Sequence, residues 1–240
     1  MKLKRYKPDF DHSYALGVYP CLELMQQRPA DVLEAVVCPT AERNAGAVRL
    51  QELCGEHGVH VRVSDRTLRT LSRRTNCHAA CAFRKYECAL APERDHVALV
   101  QPDNMGNVGT IMRTMLAFGV RDLALVRPAV DAFDPRVVRA SMGAVFRMAF
   151  AYWDSFDAYL TALPREVYPL LTDGAVELGS AEFRRPWALV FGNEGAGLGS
   201  EFRALGTSIR IPQSGAVDSL NLAIAAGVAL YEATRGGLSP

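Results

Sequence analysis

The stretch Ile211-Pro-Gln-Ser-Gly-Ala-Val-Asp-Ser-Leu-Asn-Leu222 is a loop containing proline and glycine that leads into an almost wholly apolar segment. Two polar side chains, Ser219 and Asn221, stand at the start of that segment, and the residues from Leu222 to Tyr231 carry no charge. A polar pair at the mouth of a buried helix costs free energy unless it is hydrogen-bonded. The pattern therefore predicts a buried helix over residues 220–235, with a ligand bound at its start.

Length and composition indicate a globular protein. The chain has 240 residues, is 49% hydrophobic and carries a net charge of +1, which fits one large or two modest domains. No apolar run approaches the ~18 residues of a membrane span. All six cysteines lie before residue 90, and no signal-peptide pattern precedes them, which predicts a cytoplasmic protein with free thiols.

A metal site is disfavoured by cysteine spacing. Cys77-His78-x-x-Cys81, with Cys88 beyond it, matches no usual pair of zinc-ligand knuckles. The favoured interpretation is packing, and no metal is predicted.

The charge pattern predicts two domains, residues 1–91 and 92–240, joined by a linker at 91–95. Residues 1–92 hold 14 Lys and Arg against 10 Asp and Glu, while residues 93–240 hold 13 against 16. The first domain is predicted to be a small α/β unit, with strands over 33–38, 59–63 and 79–83 and helices over 14–27, 45–57 and 65–71. Asp65 is expected to cap the last of these helices.

A basic run without any acidic residue occurs near the end of the first domain. It comprises Arg66, Arg69, Arg73, Arg74, Arg84 and Lys85. Such a run fits a solvated surface or a phosphate-contacting surface, and composition alone leaves both open.

The second domain alternates strands with helices, which predicts a parallel sheet covered on both faces. Strands are expected over 96–100, 122–126, 167–172, 187–191 and 208–211, and helices over 108–118, 155–163 and 220–235, with a further helix capped by Asp134-Pro135. Ligands bind at the carboxyl ends of strands in such sheets, and three polar loops occur there: 104–109, 192–199 and 211–219.

The loop Gly192-Asn-Glu-Gly-Ala-Gly-Leu-Gly199 matches neither common nucleotide motif. Counted from Gly195, the third glycine of a dinucleotide fingerprint is replaced by Ser200. Counted from Gly192, Leu198 stands where a phosphate loop has lysine. The glycines would still let the backbone approach a ligand; turn glycines beside a surface Glu194 are the plainer alternative.

Arg113 lies six residues after Asn107, on a predicted helix whose neighbouring residues Ile111, Met112 and Met115 are apolar. An arginine in this setting needs a partner. That partner is either a structural ion pair or a phosphate or hydroxyl group of a ligand.

Taken together, the three loops resemble the three motifs of the SpoU/TrmH branch of the SPOUT RNA methyltransferases. The first reads NVGTIMRTMLAFG from Asn107, the second LVFGNEGAGL from Leu189, and the third IPQSGAVDSLNLAIAAGVALYE from Ile211. The resemblance covers residues 93–236. Residues 1–91 are similar, more weakly, to the ribosomal-protein-like RNA-binding domain that often precedes this catalytic domain.

The resemblance implies an α/β parallel-sheet SPOUT domain with a deep trefoil knot near its carboxyl terminus. It also implies a homodimer formed through the knot region. The apolar segment from Leu220 to Tyr231 is consistent with that interface, because it is more apolar than one covering layer needs.

The implied reaction is methyl transfer from S-adenosylmethionine to a ribose 2′-hydroxyl of RNA, with ribosomal RNA favoured over transfer RNA. The resemblance makes Arg113 the base and assigns the orienting residues Asn107, Glu194, Ser219 and Asn221. A guanidinium keeps its proton in proteins, so we interpret Arg113 first as a stabiliser of the developing oxyanion and a phosphate ligand. The implied cofactor-binding residues are Leu189, Phe191, Gly192, Asn193, Gly195, Ile211, Gln213, Ser219 and Leu220.

Two other classes of function compete with this interpretation. A non-catalytic RNA-binding protein that keeps the fold is disfavoured by the intact set of polar motif residues. A nucleotide-dependent oxidoreductase is disfavoured by the failed dinucleotide fingerprint.

Overall fold

The computed structural model describes residues 3–72 and 76–237. Contacts divide the chain into two compact units: Met1–Tyr86 with Asp131–Arg147, and Glu87–Val130 with Met148–Pro240. Relative to the predicted division after residue 91, residues 131–147 belong with the first unit although they were predicted in the second. This segment is too short to change the composition of either domain, so composition alone could not assign it to the first unit.

The first unit is built on a four-stranded mixed sheet. Its strands are β1 His12–Leu16, β2 Val32–Val37, β3 Val61–Val63 and β4 Ala79–Arg84, in the order β1-β4-β2-β3. Only β2 and β3 run parallel; the other two pairings are antiparallel. The helices of this unit are α1 Val18–Gln27, α2 Ala45–Glu56 and α3 Asp65–Leu71, and β1 is contacted by α5 Pro135–Ala140.

The helix predicted over residues 14–27 is wrong in its first part, because Tyr14–Leu16 belong to β1. These residues pair with β4 and are buried, so sheet pairing decides their conformation. Gly17 then adopts φ 105°, a left-handed value that favours glycine, and the helix begins at Val18. The cap of α3 also differs: the Ser64 Oγ accepts from the Thr67 N–H at 3.2 Å, and Asp65 is the first helical residue.

The second unit contains the predicted parallel sheet. Five strands run in the order β7-β6-β5-β10-β8, and every neighbouring pair is parallel. Their bounds are β5 His96–Val100, β6 Asp122–Val126, β7 Ala149–Trp153, β8 Glu166–Pro169 and β10 Trp187–Phe191. The two-residue strands β9 Val176–Glu177 and β11 Ile209–Arg210 form a separate parallel pair. The edge strand β7 is absent from the sequence prediction.

Helices cover this sheet as the alternating pattern predicts. They are α4 Met105–Ala117, α6 Phe156–Ala162 and α7 Leu222–Thr234. Aromatic residues of α6 pack with Ala188 and Val190 of β10 in one apolar cluster, while α7 contacts both α4 and β10. In the described part of the chain, no helix combines the length and the hydropathy needed to cross a bilayer.

A buried polar group holds the linker against the amino ends of the sheet. The His96 Nε2–H donates to the Ala91 carbonyl and its Nδ1 accepts from the Tyr159 hydroxyl, both at 2.9 Å. The Asp122 carboxylate accepts from the Ala91 N–H at 2.8 Å. Burial, reinforced by the Arg165 charge, lowers the pKa of His96 to about 4. The imidazole is therefore neutral in the folded protein near pH 7.

We expect this histidine to make the protein acid-sensitive. Its pKa is 6.5 in an ordinary setting and about 4 when folded, so its contribution to stability is present above pH 6.5 and is lost as the pH falls toward 4. The loss amounts to about 3 kcal/mol of unfolding free energy. Denaturant titrations from pH 7.5 to 4 should show a shallower pH dependence for His96→Gln than for the wild type. The exposed His57→Gln variant is the control, and an equal effect in both would contradict the assignment.

Candidate active site

The three polar loops lie in the second unit, two of them at the carboxyl ends of adjacent strands. β5 and β10 are parallel neighbours, with Leu99 beside Phe191, so the loops that follow them leave the same edge of the sheet. The third loop, residues 211–221, follows β11 and ends at the amino terminus of α7. The position predicted for the ligand site from sheet topology is therefore the place where these loops meet.

The second and third loops, together with the residues after β8, line a cavity of about 420 Å³, within the range of roughly 300–1,000 Å³ that small-molecule sites occupy. Eight of the nine predicted cofactor residues line it: Phe191, Gly192, Asn193, Gly195, Ile211, Gln213, Ser219 and Leu220. The ninth, Leu189, is fully buried in β10 and is not part of the lining. Glu194 also lines the cavity, so predicted cofactor and catalytic residues share one wall.

One wall of the cavity was missed from the sequence. Residues 170–173 line it directly after β8, whereas the sequence pattern extends that strand to Thr172. Because β8 lies next to β10, the residues that follow its carboxyl end face the same site. The sequence prediction put residues 170–172 inside the strand and so did not identify them as lining residues. The Arg203 guanidinium pairs with the Asp173 carboxylate across this wall.

Three of the predicted catalytic side chains form one hydrogen-bonded group. The Asn221 Nδ2 donates to the Asn107 Oδ1 at 3.2 Å, and the Asn107 Nδ2 donates to the Glu194 Oε1 at 3.1 Å. The other Glu194 oxygen accepts from the Asp103 N–H at 3.3 Å. Each motif thus contributes one member, and the amide groups are oriented by their partners.

Asn221 also has a structural role as the cap of α7. Its Oδ1 accepts from the N–H groups of Ala223 and Ile224, at 2.9 and 3.4 Å, and so caps α7. Both Asn221 and Ser219 are exposed, so burial of this pair does not require a ligand at the start of α7. Because the cap holds the Asn221 Oδ1 at the start of α7, the Nδ2 of the same amide is directed toward Asn107.

Asn104 caps α4 in the same way. Its Oδ1 accepts from the N–H groups of Gly106 and Asn107, and the helix therefore begins at Met105, three residues before the predicted start. Asn107 consequently lies in the first turn of α4, where its side chain reaches Glu194.

Asn193 ties the second loop to the first. Its Oδ1 accepts from the N–H groups of Gly195 and Ala196, and its Nδ2 donates to the Gln101 carbonyl at 2.9 Å. Gln101 adopts φ 54°, an uncommon conformation for a residue with a side chain. Strain of this kind concentrates at functional sites, and here it turns the carbonyl toward Asn193.

The second loop folds back on itself through backbone contacts. Asn193 and Gly197 exchange N–H to carbonyl hydrogen bonds of 3.2 and 2.9 Å. A Cβ on Gly192 would lie 2.1 Å from the carbonyl carbon and oxygen of Gly197. Glycine at 192 is therefore required by this close approach.

We expect Gly192→Ala to destabilise the protein by about 1–3 kcal/mol, the usual cost of overpacking, because backbone on both sides of the loop must move. The measurement is urea denaturation, followed by the free energy of unfolding. Gly55→Ala is the matched control: Gly55 lies in α2 with no atom within 4 Å of its Cβ position, so alanine there should stabilise by about 0.5–1 kcal/mol. Equal stability of the two variants would contradict the packing argument.

Arg113 stands apart from the hydrogen-bonded group. It is exposed on α4, does not line the cavity, and has no hydrogen bond or ion pair with the residues that the structure describes. Six residues of helix turn its side chain about 120° away from that of Asn107. The structural ion pair considered for Arg113 is therefore not found in this part of the chain.

The predicted basic surface is only partly brought together. Arg66 and Arg69 are exposed on α3, and Arg84 is exposed at the end of β4. Lys85 donates to the Pro8 carbonyl and to the Asp131 carboxylate, at 2.8 and 3.0 Å, which gives it a structural partner. Arg73 and Arg74 lie outside the described residues.

The cysteines are free thiols in the described structure. The Cys77 Sγ donates to the Ala79 carbonyl at 3.3 Å, and the Cys38 Sγ lies 3.7 Å from the His78 Nδ1. Across residues 3–72 and 76–237, no group of three or more His, Cys, Asp or Glu side chains is placed to hold a metal ion.

Comparisons with known proteins bear on the second unit above all. The family model described as the SpoU rRNA methylase family matches residues 95–231. Among curated relatives, an uncharacterized tRNA/rRNA methyltransferase of Synechocystis is 37% identical over 134 residues, which are 54% of this chain and 49% of the relative. The 23S rRNA (uridine(2479)-2′-O)-methyltransferase of Streptomyces viridochromogenes is 34% identical over 156 residues, 58% and 52% of the two chains.

A solved structure matches much more of the chain. The AdoMet-bound rRNA methyltransferase from Sinorhizobium meliloti is 31% identical, with a TM-score of 0.81 over 95% of this chain and 89% of that one. By contrast, the chain spans about half the length of the curated relatives named above.

Proposed function

Because this chain belongs to the SpoU rRNA methylase family, we propose that it transfers a methyl group from S-adenosylmethionine to a ribose 2′-hydroxyl of RNA. The observation that carries the proposal is the hydrogen-bonded group of Asn107, Glu194 and Asn221 beside the cavity of the second unit. Each residue comes from a different motif, and together they place polar side chains where a cofactor and a ribose would meet.

The residues of the cavity suit the proposed cofactor. S-adenosylmethionine needs an apolar surface for its adenine ring and polar groups for its ribose and amino-acid portions, and it supplies a methyl group already activated on a sulfonium. Phe191, Leu198 and Leu220 provide the apolar surface. The polar contribution comes from Thr172, Gln213 and Ser219, and the missing side chain at Gly192 lets the loop backbone close against the site.

The chemical difficulty lies at the 2′-hydroxyl, because an alcohol is ionised only far above neutral pH. A positioned cation or hydrogen-bond donor can stabilise the charge that develops on its oxygen. Arg113 has an exposed guanidinium for this role and for an adjacent phosphate. Asn107 and Asn221 orient the ribose, and Glu194 holds Asn107 in place.

We expect Arg113→Ala to lower methyl transfer by at least about 100-fold, the usual effect of removing one oxyanion donor. Cofactor affinity should stay within about twofold, since Arg113 does not line the cavity. The assay is transfer of labelled methyl groups to total RNA from cells lacking the gene, with titration calorimetry for cofactor binding. Arg121→Ala, which removes an exposed cation next to the amino end of β6, is the control, and full activity of Arg113→Ala would overturn this assignment.

Ribosomal RNA is the favoured substrate, with transfer RNA as the alternative. The relatives named above act on 23S rRNA or are described for both classes, and a separate first unit suits a large structured RNA. We propose residues 1–91 as the RNA-binding domain, with the exposed Arg66, Arg69 and Arg84 among its phosphate contacts. Mapping ribose methylation in total RNA with and without the gene separates the two substrates.

The competing classes of function are less well supported. Loss of a motif residue would favour a non-catalytic RNA-binding protein, yet Asn107, Arg113, Glu194, Ser219 and Asn221 are all present. A dinucleotide enzyme would open a helix after its glycine loop; here residues Ser200–Ala204 form a single short 3₁₀ turn.

Free thiols suit a reducing cytoplasm, which is the compartment we propose.

We also propose that the carboxyl-terminal segment forms a trefoil knot and a homodimer interface. The chain after β10 pairs β11 with β9 and then returns α7 against α4 and β10. On α7, Ile224, Val228 and Tyr231 lie along one stripe at helical spacing and are 57%, 41% and 56% exposed. An apolar stripe of this kind suits burial against a second copy.

Ile224→Glu with Val228→Glu should therefore convert a dimer into a monomer, because two charges would be buried in the interface. Sedimentation velocity at micromolar concentration measures the change. Val63→Glu is the control, since Val63 is equally exposed, at 60%, in the first unit. A double variant that sediments like the wild type would show that this stripe is not the interface.

A further inference from the structure

We propose that a cavity in the first unit binds one unstacked nucleotide of single-stranded RNA. The inference rests on the proposed RNA methyltransferase function and adds a site that lies outside all three motifs. The cavity has a volume of about 220 Å³. It is bounded by the turn between β1 and α1, by Ser72, Asn76 and Cys77, and by residues at and just after the end of α5.

An exposed aromatic ring stands at this cavity. Tyr19 is 69% exposed, and within the described part of the first unit it is the only tyrosine, phenylalanine or tryptophan so exposed. A single exposed apolar residue needs no explanation, but this ring borders a concave surface formed by Leu16, Val18 and Pro20. Aromatic rings beside such surfaces stack with unpaired bases in proteins that bind single-stranded RNA.

The opposite side of the cavity carries backbone strain. Met142 is 37% exposed and adopts φ 53°, a conformation that costs free energy for a residue with a side chain. The next residue fixes it: a Cβ on Gly143 would lie 2.7 Å from the Glu23 Cβ and 3.2 Å from the Pro20 Cα. The end of α5 is thus packed closely on α1, and Met142 is held at the cavity with a flexible apolar side chain that can contact a base.

The polar groups of the cavity suit RNA. Arg139, on the last turn of α5, lines it together with Ser72, Asn76 and Cys77. Arginine contacts phosphates and stacks on bases, and the exposed Asn76 amide can meet base edges. Burial raises the pKa of the Cys77 thiol, so it stays uncharged near pH 7 and does not repel a phosphate. The first 92 residues carry more basic than acidic side chains, and their net positive charge favours the negatively charged RNA.

The volume of the cavity favours a single base over a whole cofactor molecule. Sites that enclose a whole small molecule have volumes of roughly 300–1,000 Å³, as the cavity of the second unit does. At about 220 Å³, the cavity of the first unit admits one base while the rest of the strand stays outside. A single-stranded segment meets that condition, and a base-paired segment does not, because its bases are stacked.

The test measures RNA binding by fluorescence anisotropy with labelled 12-nucleotide oligo(U) and oligo(A) and a 12-base-pair RNA duplex. Tyr19→Ala should weaken single-strand binding by about 5- to 100-fold, the effect of losing one stacked base, and leave duplex binding unchanged. Tyr19→Phe keeps the ring and should bind within about threefold of the wild type. Val63→Ala, which trims another exposed apolar residue of this unit, should have no effect. Equal binding by Tyr19→Ala and Val63→Ala overturns the site.

A second variant tests the phosphate contact. Arg139→Gln should reduce the slope of log affinity against log salt by about 0.7, the value for one phosphate on a single strand. Its melting temperature is measured alongside, so that unfolding is not mistaken for lost binding. A folded variant with the wild-type slope overturns the role of Arg139.

Methyl transfer to total RNA, run in parallel, separates this inference from the proposed function. If the wild type methylates RNA and Tyr19→Ala binds the oligonucleotides normally, the nucleotide site fails while the proposed function stands. If the wild type methylates no RNA but its single-strand binding depends on Tyr19, the proposed function fails and the site stands. With both correct, Tyr19→Ala raises the KM for RNA and leaves kcat unchanged, as expected for lost uniform binding.

Discussion

The parallel pairing of β10 between β5 and β8 is the constraint on which the second unit depends. Parallel strands end at one edge of a sheet, so the loops after β5, β8 and β10 all leave that edge whatever their sequences. Alternating side chains on β10 face opposite layers of the core. Ala188 and Val190 pack with the aromatic cluster of α6, while Phe191 reaches the cavity.

Helix capping then orients the polar residues of the site. Asn104 begins α4 and Asn221 begins α7, and each uses its side-chain oxygen for the cap. The Asn221 nitrogen is left to meet Asn107, whose nitrogen in turn meets Glu194. The same hydrogen bonds that start two helices therefore set the direction of the proposed catalytic amides. Stability and function are coupled at these positions because they use the same atoms.

The two units use strain in a similar way. Among the described residues, Gln101 and Met142 are the non-glycine positions with positive φ, and each borders a cavity or its loops. In one unit Gln101 is held by hydrogen bonds to the Asn193 side chain and the Val126 carbonyl, and in the other Gly143, next to Met142, packs closely against Glu23 and Pro20. Close packing can hold these strained backbone conformations, because protein interiors have few voids and low compressibility.

The sequence alone determined four of the five strands of the parallel sheet, the three polar loops and most of the cavity residues, because burial and turn chemistry leave a strong local signal in the strands 96–100, 122–126 and 187–191. Only the tertiary structure decided the rest. Pairing with β4 made a strand of Tyr14–Leu16, and long-range contact returned residues 131–147 to the first unit. The hydrogen bonds that join Asn107 to Asn221 and to Glu194 likewise link residues far apart in the chain. Those are properties of contacts between distant segments, which no local pattern encodes.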